Sequence, residues 1–167
     1  MREGAASLPS RRNPRALLFD LLTVERIKVP LASFSRDDVL RELVPLAVPT
    51  VGAAASDGVV TAVLDRELLL STRIGNGIAI LNGRTDEVET VLATAGLAPV
   101  PIDCNALDGR PVTLFFLLLG PQSAVGAHVR ALGRTSRFLR HESLRHELNR
   151  IRTPADFFDR LVGAEVF

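Results

Sequence analysis

The spacing of apolar positions between residues 35 and 49 predicts an amphipathic helix. Its apolar residues recur at intervals of three and four: Val39, Leu40, Leu43, Val44 and Ala47. Ser35 is a favourable N-cap, and Asp37 and Asp38 stand in the first turn, where the helix dipole stabilises negative charge. Pro49 ends the pattern, because proline removes a helical hydrogen bond and clashes with the preceding turn.

A second helix is predicted to begin at Ser56 or Asp57. Its apolar face is made of four residues: Val59, Val60, Val63 and Leu64. Arg66 and Glu67 lie near its C-terminal end. This spacing is again that of a helix with one buried face.

The period then changes to that of strands. Residues 78–81 are an apolar run that predicts a short strand, and Asn82-Gly83 predicts a turn directly after it. Residues 88–95 alternate loosely and predict another strand, with a weaker signal at residues 99–102. Residues 112–119 are apolar at nearly every position. A strand of this kind is buried on both faces, as in a sheet covered by helices.

Helices are also predicted after this strand. The first spans residues 123–139, and five of its residues are expected to point inward: Val125, Val129, Leu132, Ser136 and Leu139. The last begins with Thr153 as cap and Pro154 at the first helical position. Its apolar face is formed by Phe157, Phe158, Leu161 and Val162. Helices on either side of an apolar sheet predict an α/β sandwich.

Composition narrows the class of protein. A length of 167 residues favours one domain. We assign it to residues 15–167, because residues 1–14 hold Ser, Pro, Gly and Arg without periodicity and predict a flexible tail. The net charge of +1 gives no overall field that favours nucleic acid or a membrane. The longest apolar run is too short to cross a bilayer, so we expect a soluble cytoplasmic protein.

The sequence does not indicate a metal site, a cofactor site or a nucleic-acid site. Cys104 is the only cysteine, which excludes a disulfide framework and a cysteine-rich zinc site. His141 and His146 each precede a glutamate, and neighbouring residues on a helix point apart, so no metal site is expected. Four arginines spaced by three and four could form a basic stripe: Arg130, Arg134, Arg137 and Arg140. The nearby acidic residues dilute it, and the stripe is interpreted as a solvated face rather than a nucleic-acid site. No cofactor is expected.

A family resemblance is carried by residues 66–84, which read RELLLSTRIGNGIAILNGR. This stretch resembles the signature R-E-x-x-x-S-T-G-I-G-N-G-I-A-I-P-H-G of the fructose, mannitol and nitrogen-regulatory (type-2) IIA domains of the bacterial sugar phosphotransferase system. Residues 108–121 resemble a second segment of the family, and the similarity extends over about residues 17–163. The resemblance implies a single-domain sandwich with a mixed, largely parallel sheet flanked by helices on both faces.

The resemblance also implies a role for individual positions. In the family, the histidine after I-P takes a phosphoryl group from a small phosphocarrier protein, and a second histidine and an arginine hold the phosphate. Here Asn82 stands at the acceptor position, and Arg66 and His128 match the supporting ones. Leu81 and Arg73 replace the proline and a glycine of the signature.

Asparagine cannot take over the chemistry of the acceptor. A neutral imidazole has an in-plane lone pair and is a good nucleophile at pH 7. The lone pair of the amide nitrogen is delocalised into the carbonyl, so Asn82 keeps the hydrogen-bonding shape without the reactivity. We therefore expect no competent catalytic residue and interpret the chain as a non-phosphorylatable regulatory relative. Its partner would be a regulatory target protein or a phosphocarrier-like protein.

Alternatives remain open at this stage. The chain could be an active phosphocarrier that uses His128. A pocket lined by Arg66, Arg73, Asn82, Arg84 and His128 could dock an acidic surface of a partner protein or bind a small anion as a sensor. This pocket could also be vestigial. The sequence also leaves open whether the chain forms homo-oligomers.

Overall fold

The computed structural model describes residues 18–49, 51–69, 73–106 and 108–166. The helices in these ranges are α1 (Leu18–Leu21), α2 (Arg36–Ala47), α3 (Ala53–Leu69), α4 (Val125–Phe138), α5 (Glu142–Leu148) and α6 (Pro154–Val166). The strands are β1 (Ile27–Lys28), β2 (Arg73–Gly75), β3 (Ile78–Arg84), β4 (Leu92–Ile102) and β5 (Val112–Gly120). The predicted tail of residues 1–14 lies outside the described residues, as do Ser71 and Thr72. None of the described helices has the length and apolarity required to cross a bilayer.

The five strands of the described chain form one mixed sheet in the order β1-β4-β5-β3-β2. The pairings β1–β4 and β3–β5 are parallel, whereas β4–β5 and β2–β3 are antiparallel. Parallel and antiparallel pairings therefore alternate across the sheet. The predicted α/β class with a mixed sheet between helices is confirmed.

The central strand β5 is buried on both faces, as its unbroken apolar sequence predicts. Phe115, Leu117 and Leu119 belong to the core beneath α2 and α3. Alternate residues of β5 point the other way, into a second core with α4, α5 and α6: Leu114, Phe116 and Leu118. The two cores explain why this strand is apolar at every position except Thr113, near its start.

Helix α2 follows the prediction closely. The Ser35 hydroxyl accepts a hydrogen bond of 3.2 Å from the backbone N–H of Asp38. Helix α3 begins at Ala53, earlier than the predicted start at Ser56. Residues 53–55 are alanines, which have the highest helix propensity, so the helix extends upstream of the serine that signals a cap.

The predicted turn at Asn82-Gly83 is wrong, because both residues lie inside β3. They pair with Leu118 and Leu119 of the central strand. A Cβ on Gly83 would stand 2.8 Å from a Val63 methyl, so the glycine is required for close packing of α3 rather than for a turn. The two predicted segments at residues 88–95 and 99–102 are parts of a single strand, β4.

The predicted inward face of α4 is right at Leu132 and Leu139, which pack in the second core, and wrong at Val125 and Val129. Val125 and Val129 are 46% and 56% exposed, whereas His128 and Thr135 are each 1% exposed. Both buried residues are polar and have hydrogen-bond partners. Thr135 donates to a main-chain carbonyl of its own helix, and His128 contacts a side chain of β3. Leu139 is buried as predicted. Periodicity places apolar residues inside a fold and therefore misplaces a helix that buries polar ones.

Helix α6 begins where the sequence predicts. The hydroxyl of Thr153 accepts a 3.1 Å hydrogen bond from the backbone N–H of Asp156, which confirms the cap. Phe157 and Leu161 are fully buried against the second core. Phe158 and Val162 are half-buried at its margin.

Candidate functional site

Three polar side chains, one each from α3, β3 and α4, form a cluster in an otherwise apolar core. Asn82 near the end of β3 faces α4, because the next residue, Gly83, faces α3 on the opposite side. His128, in the first turn of α4, lies above the end of β5. Asn82 is 0% exposed and His128 is 1% exposed. Arg66 reaches the cluster from the C-terminal part of α3.

The Asn82 side-chain oxygen is the centre of this cluster. The Arg66 Nε–H donates to Asn82 Oδ1 over 2.6 Å, and His128 Nε2 lies 3.3 Å from the same oxygen. Arginine only donates hydrogen bonds, so its contact fixes which end of the amide is the oxygen. His128 must then carry its proton on Nε2 to bond with Asn82, which leaves Nδ1 as the unprotonated nitrogen.

His128 is held in its neutral form. Burial, together with the positive charges of Arg84 and Arg66, lowers the pKa of this imidazole to about 4. Burial disfavours the charged ring, and the two guanidinium groups repel a proton that would add a third positive charge. At neutral pH the site therefore has two fixed cations beside a neutral histidine and a neutral amide.

This low pKa predicts that acid destabilises the fold through His128. In the unfolded chain the His128 imidazole has the ordinary histidine pKa near 6.5. Between about pH 6.5 and pH 4 the unfolded chain therefore binds a proton that the folded chain does not bind. The free energy of unfolding is highest above about pH 6.5 and falls toward pH 4. The expected loss is about 2–3 kcal/mol. Urea unfolding of the natural chain and His128→Gln at pH 7 and pH 4.5 measures it. The variant should have the smaller pH dependence, and equal dependence in both proteins would contradict this role.

Several polar atoms of the cluster have no hydrogen-bond partner. Among the described residues, Asn82 Nδ2, Arg84 Nε and His128 Nδ1 are buried without one. No carboxylate in the described ranges forms an ion pair with Arg66 or Arg84. Buried donors without partners are rare in folded proteins. Among the side chains that the structure describes, the site thus has unused donors and two arginines without a carboxylate partner.

Gly120 is a site residue that the sequence does not reveal. A Cβ at this position would stand 2.9 Å from His128 Nδ1 and 3.1 Å from a Val91 methyl. The imidazole therefore packs directly on the backbone at the end of β5, with Nδ1 turned toward it. A Gly-Pro pair after an apolar run is typical of the end of a strand and does not indicate a contact with a histidine.

The turn before β3 has a left-handed backbone at three successive residues. Gly75, Asn76 and Gly77 all have positive φ, at 86°, 59° and 82°. The Asp108 carboxylate accepts a 2.7 Å hydrogen bond from the Asn76 N–H, and this holds the turn from outside the sheet. Arg73 pairs through its backbone with Ala79, but its side chain lies outside the described part of the chain, so its predicted place in the pocket remains a prediction.

Other candidates do not join this cluster. The arginines of α4 lie on its outer side, and Arg130, Arg137 and Arg140 are exposed. The ranges that the structure describes contain no group of three or more metal-ligating side chains. A groove of about 1000 Å³ lies at the far end of the sheet, beside Pro99, Thr113 and Arg152. Thr113 and Gly120 stand near opposite ends of β5, so the groove is remote from Asn82.

The amino-acid sequence matches a known protein family over most of its length. Residues 20–162 match the family described as "Phosphoenolpyruvate-dependent sugar phosphotransferase system, EIIA 2". The chain is similar to a nitrogen regulatory protein of Bradyrhizobium diazoefficiens, with 35% identity over 129 residues, 77% of this chain and 84% of that protein.

Two solved structures share the fold. The nitrogen regulatory protein IIA-Ntr from Neisseria meningitidis has a TM-score of 0.77 and 26% identity, over 87% of this chain and 99% of that one. A complex from Escherichia coli joins IIA mannitol to phosphorylated IIB mannitol. It matches with a TM-score of 0.67 and 19% identity, over 86% of this chain and 99% of that chain.

Proposed function

The chain belongs to the EIIA 2 family of the phosphoenolpyruvate-dependent sugar phosphotransferase system, and we propose that it is a regulatory member that binds a protein partner and accepts no phosphate. The family predicted from residues 66–84 is thereby confirmed. Its similarity to nitrogen regulatory proteins supports a regulatory role. The cytoplasmic location that the sequence predicts is part of this proposal.

One observation carries the proposal: a neutral amide occupies the centre of the polar cluster. Asn82 Oδ1 is bonded to Arg66 and His128, in a place where the family resemblance implies a histidine nucleophile. The amide nitrogen has no available lone pair with which to attack phosphorus. Arg66 and His128 are nevertheless both positioned by hydrogen bonds to Asn82 Oδ1. The site therefore keeps its supporting groups while it lacks a nucleophile.

The geometry also argues against His128 as a substitute acceptor. Its Nε2 carries the proton that bonds to Asn82, so only Nδ1 has a free lone pair. That nitrogen is buried and packs on Gly120, which leaves no room for a phosphoryl group. A nucleophile must lie within reach of the group it attacks, and Nδ1 does not reach the surface.

Partner binding follows from what a IIA domain without a phosphoryl group can still do. In the Escherichia coli mannitol system, a IIA protein assembles with a phosphorylated IIB protein. We propose that the present chain likewise acts through a protein interface. Because Asn82 cannot be phosphorylated, its binding would not depend on the phosphorylation state of the carrier proteins.

Amide NMR spectra test whether the natural chain is phosphorylated. We expect the ¹⁵N spectrum of the natural chain to be unchanged after incubation with phosphoenolpyruvate and the two general carrier proteins. New resonances for Arg66, Arg84 or His128 that persist after the carriers are removed would contradict the proposal, because they would report a modified site.

Binding of a small anion is a second candidate, favoured by the unused donors of Asn82 and Arg84. Such a ligand would stabilise the folded chain in proportion to its concentration over its dissociation constant. At tenfold excess over that constant, the melting temperature would rise by about 3–5 °C. Phosphate, a nucleotide and a sugar phosphate at millimolar concentration are suitable probes, with Arg84→Gln as control. No rise with any of them would remove this candidate.

A further inference from the structure

The outer surface of α4 has apolar side chains that the fold does not use. Val125 and Val129 are 46% and 56% exposed, although both are large apolar residues. They lie four positions apart, so they are neighbours on one side of the helix. His128 lies between them in sequence and points inward to Asn82. The exposed apolar pair therefore lies on the helix that also supplies His128 to the polar cluster.

Arginines on the same helix lie flat along its surface. One terminal nitrogen of Arg130 is 3.3 Å from where a Cβ on Gly126 would stand, and one of Arg137 is 3.7 Å from the corresponding point on Gly133. Each guanidinium thus folds back one turn over a glycine. These four residues fall within an arc of ~60° on the helix, next to the two valines.

Among the described side chains, no carboxylate compensates these two arginines. Helix α4 contains no aspartate or glutamate. Neither Arg130 nor Arg137 forms an ion pair with a carboxylate of the described ranges. The glycines leave room for each guanidinium to lie in place before any partner binds, which reduces the side-chain entropy that binding would cost.

We infer that this surface, formed by Val125, Val129, Arg130 and Arg137, docks a protein partner that presents acidic side chains around an apolar contact. The carboxylates would meet the two arginines, and the apolar contact would cover the valines. A nucleic acid would satisfy the arginines but leave both valines in water, and the net charge of +1 gives it little general attraction. The inference rests on the proposed binding role and adds the chemistry of the partner.

A defined peptide provides the test. The probe is a synthetic peptide of alternating glutamate and leucine, titrated into the full ¹⁵N-labelled chain and followed by amide shifts. The test variant is Arg130→Gln with Arg137→Gln. The matched control is Arg150→Gln with Arg152→Gln, which removes two exposed arginines from the segment between α5 and α6. Val129→Ser probes the apolar contact separately, and a DNA duplex is titrated in parallel at physiological salt.

We expect shifts concentrated in residues 125–137 and affinity about tenfold weaker in the α4 double variant, because two charge contacts of up to about 1 kcal/mol each are lost. Val129→Ser should also weaken binding, whereas the control should not. Absent binding, shifts centred elsewhere or equal losses in the control would overturn the inference, as would tighter binding of the duplex. None of these variants alters Asn82, so a failed docking test leaves the proposed function standing. Phosphate uptake by the natural chain is the separate result that would overturn the proposed function.

Discussion

Asn82→His is expected to take up phosphate from the carrier proteins, whereas the natural chain takes up none. The substitution places an imidazole beside Arg66 and His128, which already lie within hydrogen-bonding distance of this position. An imidazole supplies the in-plane lone pair that the amide lacks. The measurement is acid-labile label after incubation with labelled phosphoenolpyruvate and the two general carriers. This is the largest effect on activity that we predict, because phosphate uptake is expected to be absent in the natural chain and measurable in the variant.

The controls for this variant separate chemistry from folding. Position 82 is fully buried, and a larger ring there is expected to cost about 1–3 kcal/mol of stability, so the unfolding midpoint must be measured beside the label. Leu81→Pro with Asn82→His restores two residues of the family signature, and Asn82→Ala offers no nucleophile. If a folded Asn82→His protein takes no label in either background, the surface that receives the carrier has been lost as well.

Leu117→Ala is expected to lower the free energy of unfolding by about 3–4 kcal/mol. Leu117 is 0% exposed in the middle of β5 and packs beneath α2 and α3. Truncation removes buried methyl groups and leaves a cavity between sheet and helices. Because a domain of this size has only about 5–15 kcal/mol of stability, the variant should unfold at a far lower urea concentration.

Val100→Ala is the matched control for this loss. Val100 lies on β4 and is 53% exposed, so the truncation should change the free energy of unfolding by less than about 0.5 kcal/mol. Urea unfolding of both variants gives the comparison directly. A loss near 1 kcal/mol or less in Leu117→Ala would mean that the strand is not sealed between two layers of helices.

The sequence predicts the fold well where pattern and burial agree. Residues 112–119 are apolar at every position but Thr113 and form the central strand. Ser35 and Thr153 cap helices as their positions predict. These features depend on local rules, namely the period of apolar residues and the chemistry of the first helical turn. Tertiary contacts are not needed to identify them.

The errors arise where tertiary packing changes the meaning of a local signal. Asn82-Gly83 has the composition of a turn, but its glycine allows α3 to approach β3 and its asparagine faces α4. The inward face of α4 was misplaced for a related reason. Its buried residues His128 and Thr135 are polar: His128 contacts Asn82 across the fold, and Thr135 bonds to a carbonyl of its own helix.

The candidate site was predictable from family resemblance but not from residue spacing. Arg66, Asn82 and His128 are far apart in sequence, and the structure brings their side chains into contact. Gly120 was missed because its contribution is the absence of a side chain next to His128. A sequence pattern cannot distinguish such a glycine from one that ends a strand.

The intact mass of the natural chain tests the central claim most directly. The chain is incubated with phosphoenolpyruvate and both general carriers under conditions that fully label a natural IIA protein, and its mass is recorded before and after mild acid. We predict one unmodified species throughout, because neither Asn82 nor His128 offers an accessible nucleophile. A species heavier by one phosphoryl group, lost in acid and absent from His128→Ala, would contradict this account and identify the chain as an active phosphocarrier.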